Sequence, residues 1–280
     1  MKITKRWAPW LLLAPFLLWN VCFVLGPLLT VVLQSLHPMS DEYEILSSWT
    51  LSNYQRALSV DYLPTLLRSV LYAGLTTVLC LLLGYPLAYT IALYGGKRRS
   101  TLLILIMLPF WTSYLVRTYA WMTLLQTEGL LNSLLLSLGL VTEPIQMLNT
   151  PGAVVLGLTY ALLPFATLPI YVALEHLDRS LLDAAVDLGA SSFKTFWTVI
   201  LPLSLPGVVA GSLLTFVPAM GDFVTPDLLG GPDTQMIGNL IQQQYLGLFD
   251  WPFGSALSLV LIVLMAVGVM AYNTLGELDA

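Results

Sequence analysis

Charge is scarce in this chain. Only 10% of its 280 residues are Asp, Glu, Lys or Arg, while 57% are hydrophobic. A soluble globular protein carries roughly 25% charged residues. So few charges cannot clothe a water-soluble domain of this length. Cysteine and histidine are rarer still, at two each. Cys22 and Cys80 sit in apolar runs without a neighbouring Cys or His. That excludes a disulfide framework and a zinc site, and both read as buried hydrophobes. A phosphate-binding Gly-x-x-x-x-Gly-Lys-Ser/Thr loop is also missing, since Gly95-Gly96-Lys97 lacks a glycine at the preceding position the loop needs. The apolar runs hold no series of carboxylates of the kind proton-coupled carriers use. No cofactor, metal or nucleic acid is expected. Any transport energy must come from another subunit.

What is present is a set of long apolar runs. A bilayer core takes roughly 20 such residues as a helix. The runs predict an all-α, polytopic membrane bundle forming one domain over 1–280. Its six spans lie at about 8–33, 69–94, 101–125, 152–174, 203–220 and 254–275. The first follows Lys2, Lys5 and Arg6, as a signal peptide would, but it is too long and lacks a small-residue cleavage site. The fifth is short and carries Pro206 and Pro218, which predicts a broken helix. Residues 129–141 are apolar but too short to span, so they lie at the interface or against the bundle.

Basic residues set the orientation. Lys2, Lys5 and Arg6 fall on the same side as Lys97, Arg98 and Arg99 if the spans alternate. That side is cytoplasmic, both termini are inside, and His37 and His176 fall on opposite sides. No nucleophile–base cluster accompanies them, which argues against an enzyme. The outer segments hold Asp41, Glu42, Glu44, Asp61, Glu128, Glu143, Asp222, Asp227, Asp233 and Asp250. With Arg56 they total about −9, a field that concentrates cations. Exclusion of basic residues from outer loops predicts the same acidity.

The segment 175–202 is longer than a connection between spans requires. Ser180 with Asp183 reads as a capping box. Gly189 supplies a left-handed stop. Ser191 or Ser192 caps a second helix to about Leu201, and Pro202 and Pro206 interrupt the chain before span five. Leu181, Leu182, Ala185 and Leu188 cluster on one side of the first helix. Two readings fit: a surface for another protein, or a helix resting on the membrane.

Asp183-Ala184-Ala185, then Gly189, then Val199-Ile200-Leu201-Pro202, resembles the Glu-Ala-Ala loop of ABC importer permeases. Asp183 replaces Glu and Val199 replaces Ile. Gly84-Tyr85-Pro86-Leu87-Ala88, Leu108-Pro109-Phe110-Trp111-Thr112, Pro218-Ala219-Met220-Gly221, Asp227-Leu228-Leu229-Gly230-Gly231 and Asp250-Trp251-Pro252-Phe253-Gly254 are similar to the polyamine subgroup. The resemblance implies the type I importer fold and a role for Asp183, Ala184, Ala185, Gly189, Val199, Leu201 and Pro202 in coupling to an ATPase. It also implies a second permease, a pair of ATPase subunits that bind ATP and Mg, and an external polyamine-binding protein.

Candidate path residues are Trp111, Tyr114, Tyr119, Asp222 and Asp227. Aromatic faces attract ammonium groups, and carboxylates bind them by charge-assisted hydrogen bonds. An interfacial aromatic belt is the other reading of the Trp and Tyr residues, Trp121 above all. Arg117 is expected to pair with a carboxylate or carbonyl, or to snorkel to the outer surface. Alternatives are a permease for another cationic or small organic solute, and a self-contained secondary carrier. The carrier needs ionisable groups deep in the spans, where only Arg117 stands.

Overall fold

A bilayer supplies no water to hydrogen-bond a bare backbone group, so a spanning chain must satisfy its own. The 17 prolines here make that demand acute. The computed structural model describes residues 8–40 and 42–278. Lys2, Lys5, Arg6 and Asp41 lie outside the described residues, as do both ends of the chain.

The described chain is helical almost throughout. It begins with α1 (Ala8–Asn20), a π-turn (Val21–Leu25) and α2 (Gly26–Ser35), which run on as one apolar rod. Gly26 N–H reaches back five residues to the Val21 carbonyl, and Pro27 follows with no N–H to place. Then come α3 (Ser52–Ala57) and α4 (Leu63–Tyr94). A tight turn leads to α5 (Arg99–Met107), a 3₁₀ turn (Leu108–Trp111) and α6 (Tyr114–Leu125). Next are α7 (Leu130–Ser137), α8 (Pro151–Glu175), α9 (Arg179–Asp187) and α10 (Ser192–Thr195). The chain ends with α11 (Leu201–Gly221), α12 (Val224–Leu229), α13 (Ile237–Gln242) and α14 (Trp251–Leu278).

Five helices are long and apolar enough to cross a membrane, or six if the bent pair 96–111 and 114–137 counts as one span. The bent pair turns by 87°. Pro109 removes a donor, and Thr112 and Ser113 adopt extended ψ angles of 152° and 137°. Thr112 Oγ1 donates to the Pro109 carbonyl at 2.8 Å. The break therefore falls in the third span, where a single helix over 101–125 was expected. The fifth, expected to be broken, is continuous from Ser192 to Gly221. A second π-turn, Phe196–Ile200, accommodates Pro202 at its start. Leu201 N–H bonds the Phe196 carbonyl, and Pro202 follows where no donor is needed. Pro206 and Pro218 sit inside the helix without ending it.

One compact unit comprises the described residues up to Leu63 and from Leu240 onward. In it α2 and α3 pack on α14. Arg56 pairs with Asp250 at 2.8 Å and lies 3.8 Å from the Phe253 ring centre. Asn53 donates to the Ser35 and His37 carbonyls at 3.0 and 2.9 Å, closing the end of α2. Cys22 is exposed, which corrects its reading as buried: it lies in the π-turn before α2, where none of the residues is buried.

The other unit runs from Pro64 to Asn239. Its centre is the pair α8 and α11, and small residues make the approach possible. A Cβ on Gly207 would stand 2.7 Å from the Pro169 carbonyl oxygen, and one on Gly211 2.9 Å from that of Ala166. Ala88, Ile91 and Ala92 of α4 bury against Ile170, Tyr171 and Leu174 of α8 and against Ile200. Cys80 is fully buried there, its thiol 3.5 Å from the Thr159 carbonyl. α7 packs against α6, held by Asn132, which is buried and bonds the Gln126 and Ile145 backbones.

Overpacking that seam should be costly. Gly211→Val is expected to lower stability by about 1–3 kcal/mol. Gly74→Ala, where a new Cβ meets nothing within 4 Å, should be neutral or stabilising. Thermal midpoints in detergent compare the two, and equal midpoints would refute the close-packed seam.

Candidate functional site

The bend in the third span and the end of α11 meet around one carboxylate. Asp222 follows α11 with extended backbone and caps α12. Its Oδ1 accepts the N–H groups of Val224 and Thr225 at 2.8 and 3.3 Å. Its Oδ2 accepts the Thr225 hydroxyl at 2.7 Å and the Tyr114 hydroxyl. Tyr114 is the first residue of α6, so the bond ties the restart of the bent span to α12. The Tyr114 and Thr225 hydroxyls are 2.6 Å apart. Thr225 carried no signal in the sequence beyond its place three residues after Asp222.

The two path carboxylates thus differ. Asp222 is half-buried with both oxygens engaged, while Asp227 is exposed on the face of α12. Trp111 is 75% exposed at the bend, and Tyr119 is exposed one turn beyond Tyr114. Trp121 instead packs edge-on against Tyr160. Among the described residues Arg117 has no carboxylate partner. Its Nε and Nη1 are buried without a hydrogen-bond partner among the described residues. Its guanidinium lies 5.5 Å from the ring centres of both Phe110 and Tyr114. Cation–π attraction takes the place of the ion pair.

α12 is itself fixed. Asn239 donates to the Phe223 carbonyl at 2.7 Å and accepts the Met236 N–H at 3.1 Å. A Cβ on Gly238 would stand 2.7 Å from the Asp222 carbonyl, so only glycine lets this return pass close.

The second site is the loop between α8 and α11. The capping box on Ser180 is not formed. Asp178 is the cap, its Oδ1 accepting the Ser180 N–H at 2.9 Å. That bond holds the Asp178 carboxyl below its ordinary pKa. Starting two residues earlier than expected places Ser180 inside the helix. At the far end Gly189 has φ +75°. Its N–H bonds the Val186 carbonyl, and the Ala190 N–H bonds that of Ala185. This paired closure needs a left-handed residue. Ser191 caps α10 through the Lys194 N–H at 3.3 Å.

Leu181, Leu182, Ala185 and Leu188 share one side of α9, as expected, but they are covered to different depths. Leu182 packs against the α4–α8 core, and Ala185 is half-buried. Leu181, Ala184 and Leu188 face outward, Leu188 at 89% exposure. Asp183 is exposed on another side, lining a surface hollow with Tyr89, Tyr94, Arg179 and Leu182. Val199 and Leu201 are half-buried and Pro202 is exposed where the loop enters α11.

Comparison with known proteins settles the class. Residues 81–278 match the family described as the binding-protein-dependent transport system inner membrane component. The chain belongs to that family. The subunit is an inner-membrane transport component and not an enzyme; ATP hydrolysis resides on a separate subunit. The self-contained carrier reading therefore falls. Among curated relatives, the spermidine/putrescine transport system permease protein PotB of Escherichia coli is 44% identical over 91% of this chain and 92% of its own. PotB of Haemophilus influenzae is 41% identical over 99% and 97%. The inner membrane ABC transporter permease protein YdcU of Escherichia coli is 36% identical over 96% and 90%. A solved bacterial alginate ABC transporter shares the fold, with a TM-score of 0.80 at 16% identity, covering 98% of this chain and 96% of that one.

The two carboxylates should separate by experiment. Asp222→Ala is expected to cost about 2–3 kcal/mol and Tyr114→Phe about 1–2. Asp227→Ala should stay within about 0.5 kcal/mol. Thermal unfolding in detergent ranks the three, and an Asp227 effect as large as that of Asp222 contradicts the assignment.

Proposed function

We propose that this permease forms half of the pathway of an ATP-driven polyamine importer, with spermidine or putrescine as solute. The observation that carries the reading is the 41–44% identity to PotB proteins over nearly the whole chain. Its partners are a second permease of the PotC kind, a pair of PotA-like ATPases that bind ATP and Mg, and an external PotD-like binding protein. Both termini and the loop 175–202 are cytoplasmic.

The loop couples. Asp183, Ala184, Ala185 and Gly189 present the outward strip of α9 to the ATPase, and Val199, Leu201 and Pro202 carry its movement into α11. Two features support this. Leu181, Ala184 and Leu188 leave apolar surface exposed on α9, and the helix is closed at both ends by the Asp178 cap and the Gly189 turn, so it moves as a rigid piece. In the membrane, Trp111, Tyr114, Tyr119, Asp222 and Asp227 form the solute path. Asp227, Trp111 and Tyr119 make the direct contacts, and the Tyr114–Asp222 bond holds the bent span in shape. Alternating access moves the polyamine from the binding protein past the bend.

Family membership alone leaves the solute open, because a molybdenum transport system permease protein, ModB of Mycobacterium bovis, is 34% identical over 73% of this chain. Uptake of labelled spermidine and putrescine in cells lacking other polyamine importers, with the full complex expressed, decides it. Absence of uptake with all subunits in the membrane refutes the polyamine reading.

Gly189 tests the coupling. A Cβ there meets nothing within 4 Å in this chain, so a substitution acts through its positive φ and through whatever docks. Gly189→Val should still reach the membrane but lower uptake per ATP about tenfold, the equivalent of the left-handed strain. Gly189→Asn, which tolerates that conformation, should lose less. Full uptake by Gly189→Val counts against the loop's role.

A further inference from the structure

Three basic residues fill the turn between α4 and α5, and only one is folded inward. Lys97 and Arg98 are exposed. Arg99 turns in, donating through Nη1 to the Glu175 carboxylate and through Nη2 to the Ala92 carbonyl at 3.1 Å. Its guanidinium also lies 5.8 Å from the Tyr171 ring centre. Ala92 is in the last turn of α4, and Glu175 is the last residue of α8.

Both charges oppose their own helices. A cation in the first turn of α5 and an anion in the last turn of α8 each oppose the local dipole. Neither residue helps the helix it belongs to. Together, however, they cancel, and Arg99 faces the negative ends of α4 and α8. Stability is a weak reason for the pair, because the side chains keep 29% and 35% of their exposure and such pairs contribute little. What the pair does is join three helix ends at the root of the coupling loop, which begins at Glu175.

We propose that Arg99 and Glu175 are positioning residues that carry movement of the coupling loop into the bent third span. Displacement of α9 reaches Glu175 through Leu177 and Asp178. Arg99 passes it to α5. α5 continues through the 3₁₀ turn Leu108–Trp111 to the break at Thr112 and Ser113, beyond which α6 carries Tyr114. A rigid helix between a charged bracket and a bend converts a push at the loop into a change at the bend. This rests on the coupling role proposed above for residues 175–202.

The test uses the complete complex of both permeases, ATPases and binding protein in lipid nanodiscs. Spin labels at Leu75→Cys and Ser113→Cys, with Cys22→Ser, report the bend through their distance with and without ATP plus vanadate. The distance should shift when Arg99 and Glu175 are intact. Glu175→Gln and Arg99→Met should each lose at least about half of that shift and lower import per ATP about fivefold, a coupling typical of residues in contact. The exchanged pair R99E/E175R should restore both. An undiminished shift in both single variants overturns the proposal, and so does the lack of any shift with the pair intact. Single variants that no longer co-purify with the ATPase assign the pair to assembly and also overturn it. The distance measurement needs no solute. If it behaves as expected while the unlabelled complex imports no polyamine, the solute assignment fails and this inference stands.

Discussion

Backbone hydrogen bonding in a medium without water is the constraint on which the rest of this structure depends. Each proline inside a span leaves one carbonyl without its usual donor, and the bilayer cannot repair it. Several prolines, among them Pro86, Pro164, Pro169, Pro206 and Pro218, sit inside continuous helix, and elsewhere the chain answers in two ways. At Val21–Leu25 and Phe196–Ile200 it inserts a π-turn before the X-Pro pair, so the helix runs on. At Pro109 it stops, turns through 87° and starts again. The first answer keeps a span straight, and the second bends it.

The bend needs protein around it, because extended backbone at membrane depth is tolerated only where something else supplies partners. Thr112 supplies one with its own hydroxyl. Tyr114 supplies the other link, binding Asp222 as soon as the helix resumes. One of the two candidate carboxylates is thereby committed to the fold. Two backbone N–H groups and two hydroxyls surround Asp222. Asp227, five residues on, is exposed. A single acid could not serve both ends, since the bonds that make Asp222 a good cap are the ones an ammonium group would need.

Much of this was legible in the sequence, for identifiable reasons. Apolar run length marks spans because the bilayer demands it. Gly189 and the Ser191 cap were legible because local backbone rules leave few choices there. The first cap was misread by two residues. Asp178 and Ser180 are both good capping types, and only the winding of α9 decides between them. The broken span was placed in the wrong helix because proline count was taken as the signal. Pro206 and Pro218 are accommodated, while Pro109 is not, and the difference lies in the neighbouring backbone. Longer-range pairings were invisible: Tyr114 and Asp222 are 108 positions apart, and Arg99 and Glu175 are 76. One strand of sequence carries no sign of which distant charges meet.

Arg99 shows how a residue can satisfy two constraints at once. The positive-inside rule requires basic residues in that turn, and any of the three would serve. The rule therefore explains the cluster and hides the one member with a further use. What separates Arg99 is its unfavourable place on its own helix, which only Glu175 redeems. Arg117 is a related case: its Nε and Nη1 have no hydrogen-bond partner among the described residues, and its guanidinium rests on the rings of Phe110, before the break, and Tyr114, in the first turn of its own helix. In both cases a charge is held by residues at a helix break or a helix end. The rigid seam of α8 and α11, closed by Gly207 and Gly211, offers no such place. Charge and bend thus fall together outside the closely packed seam.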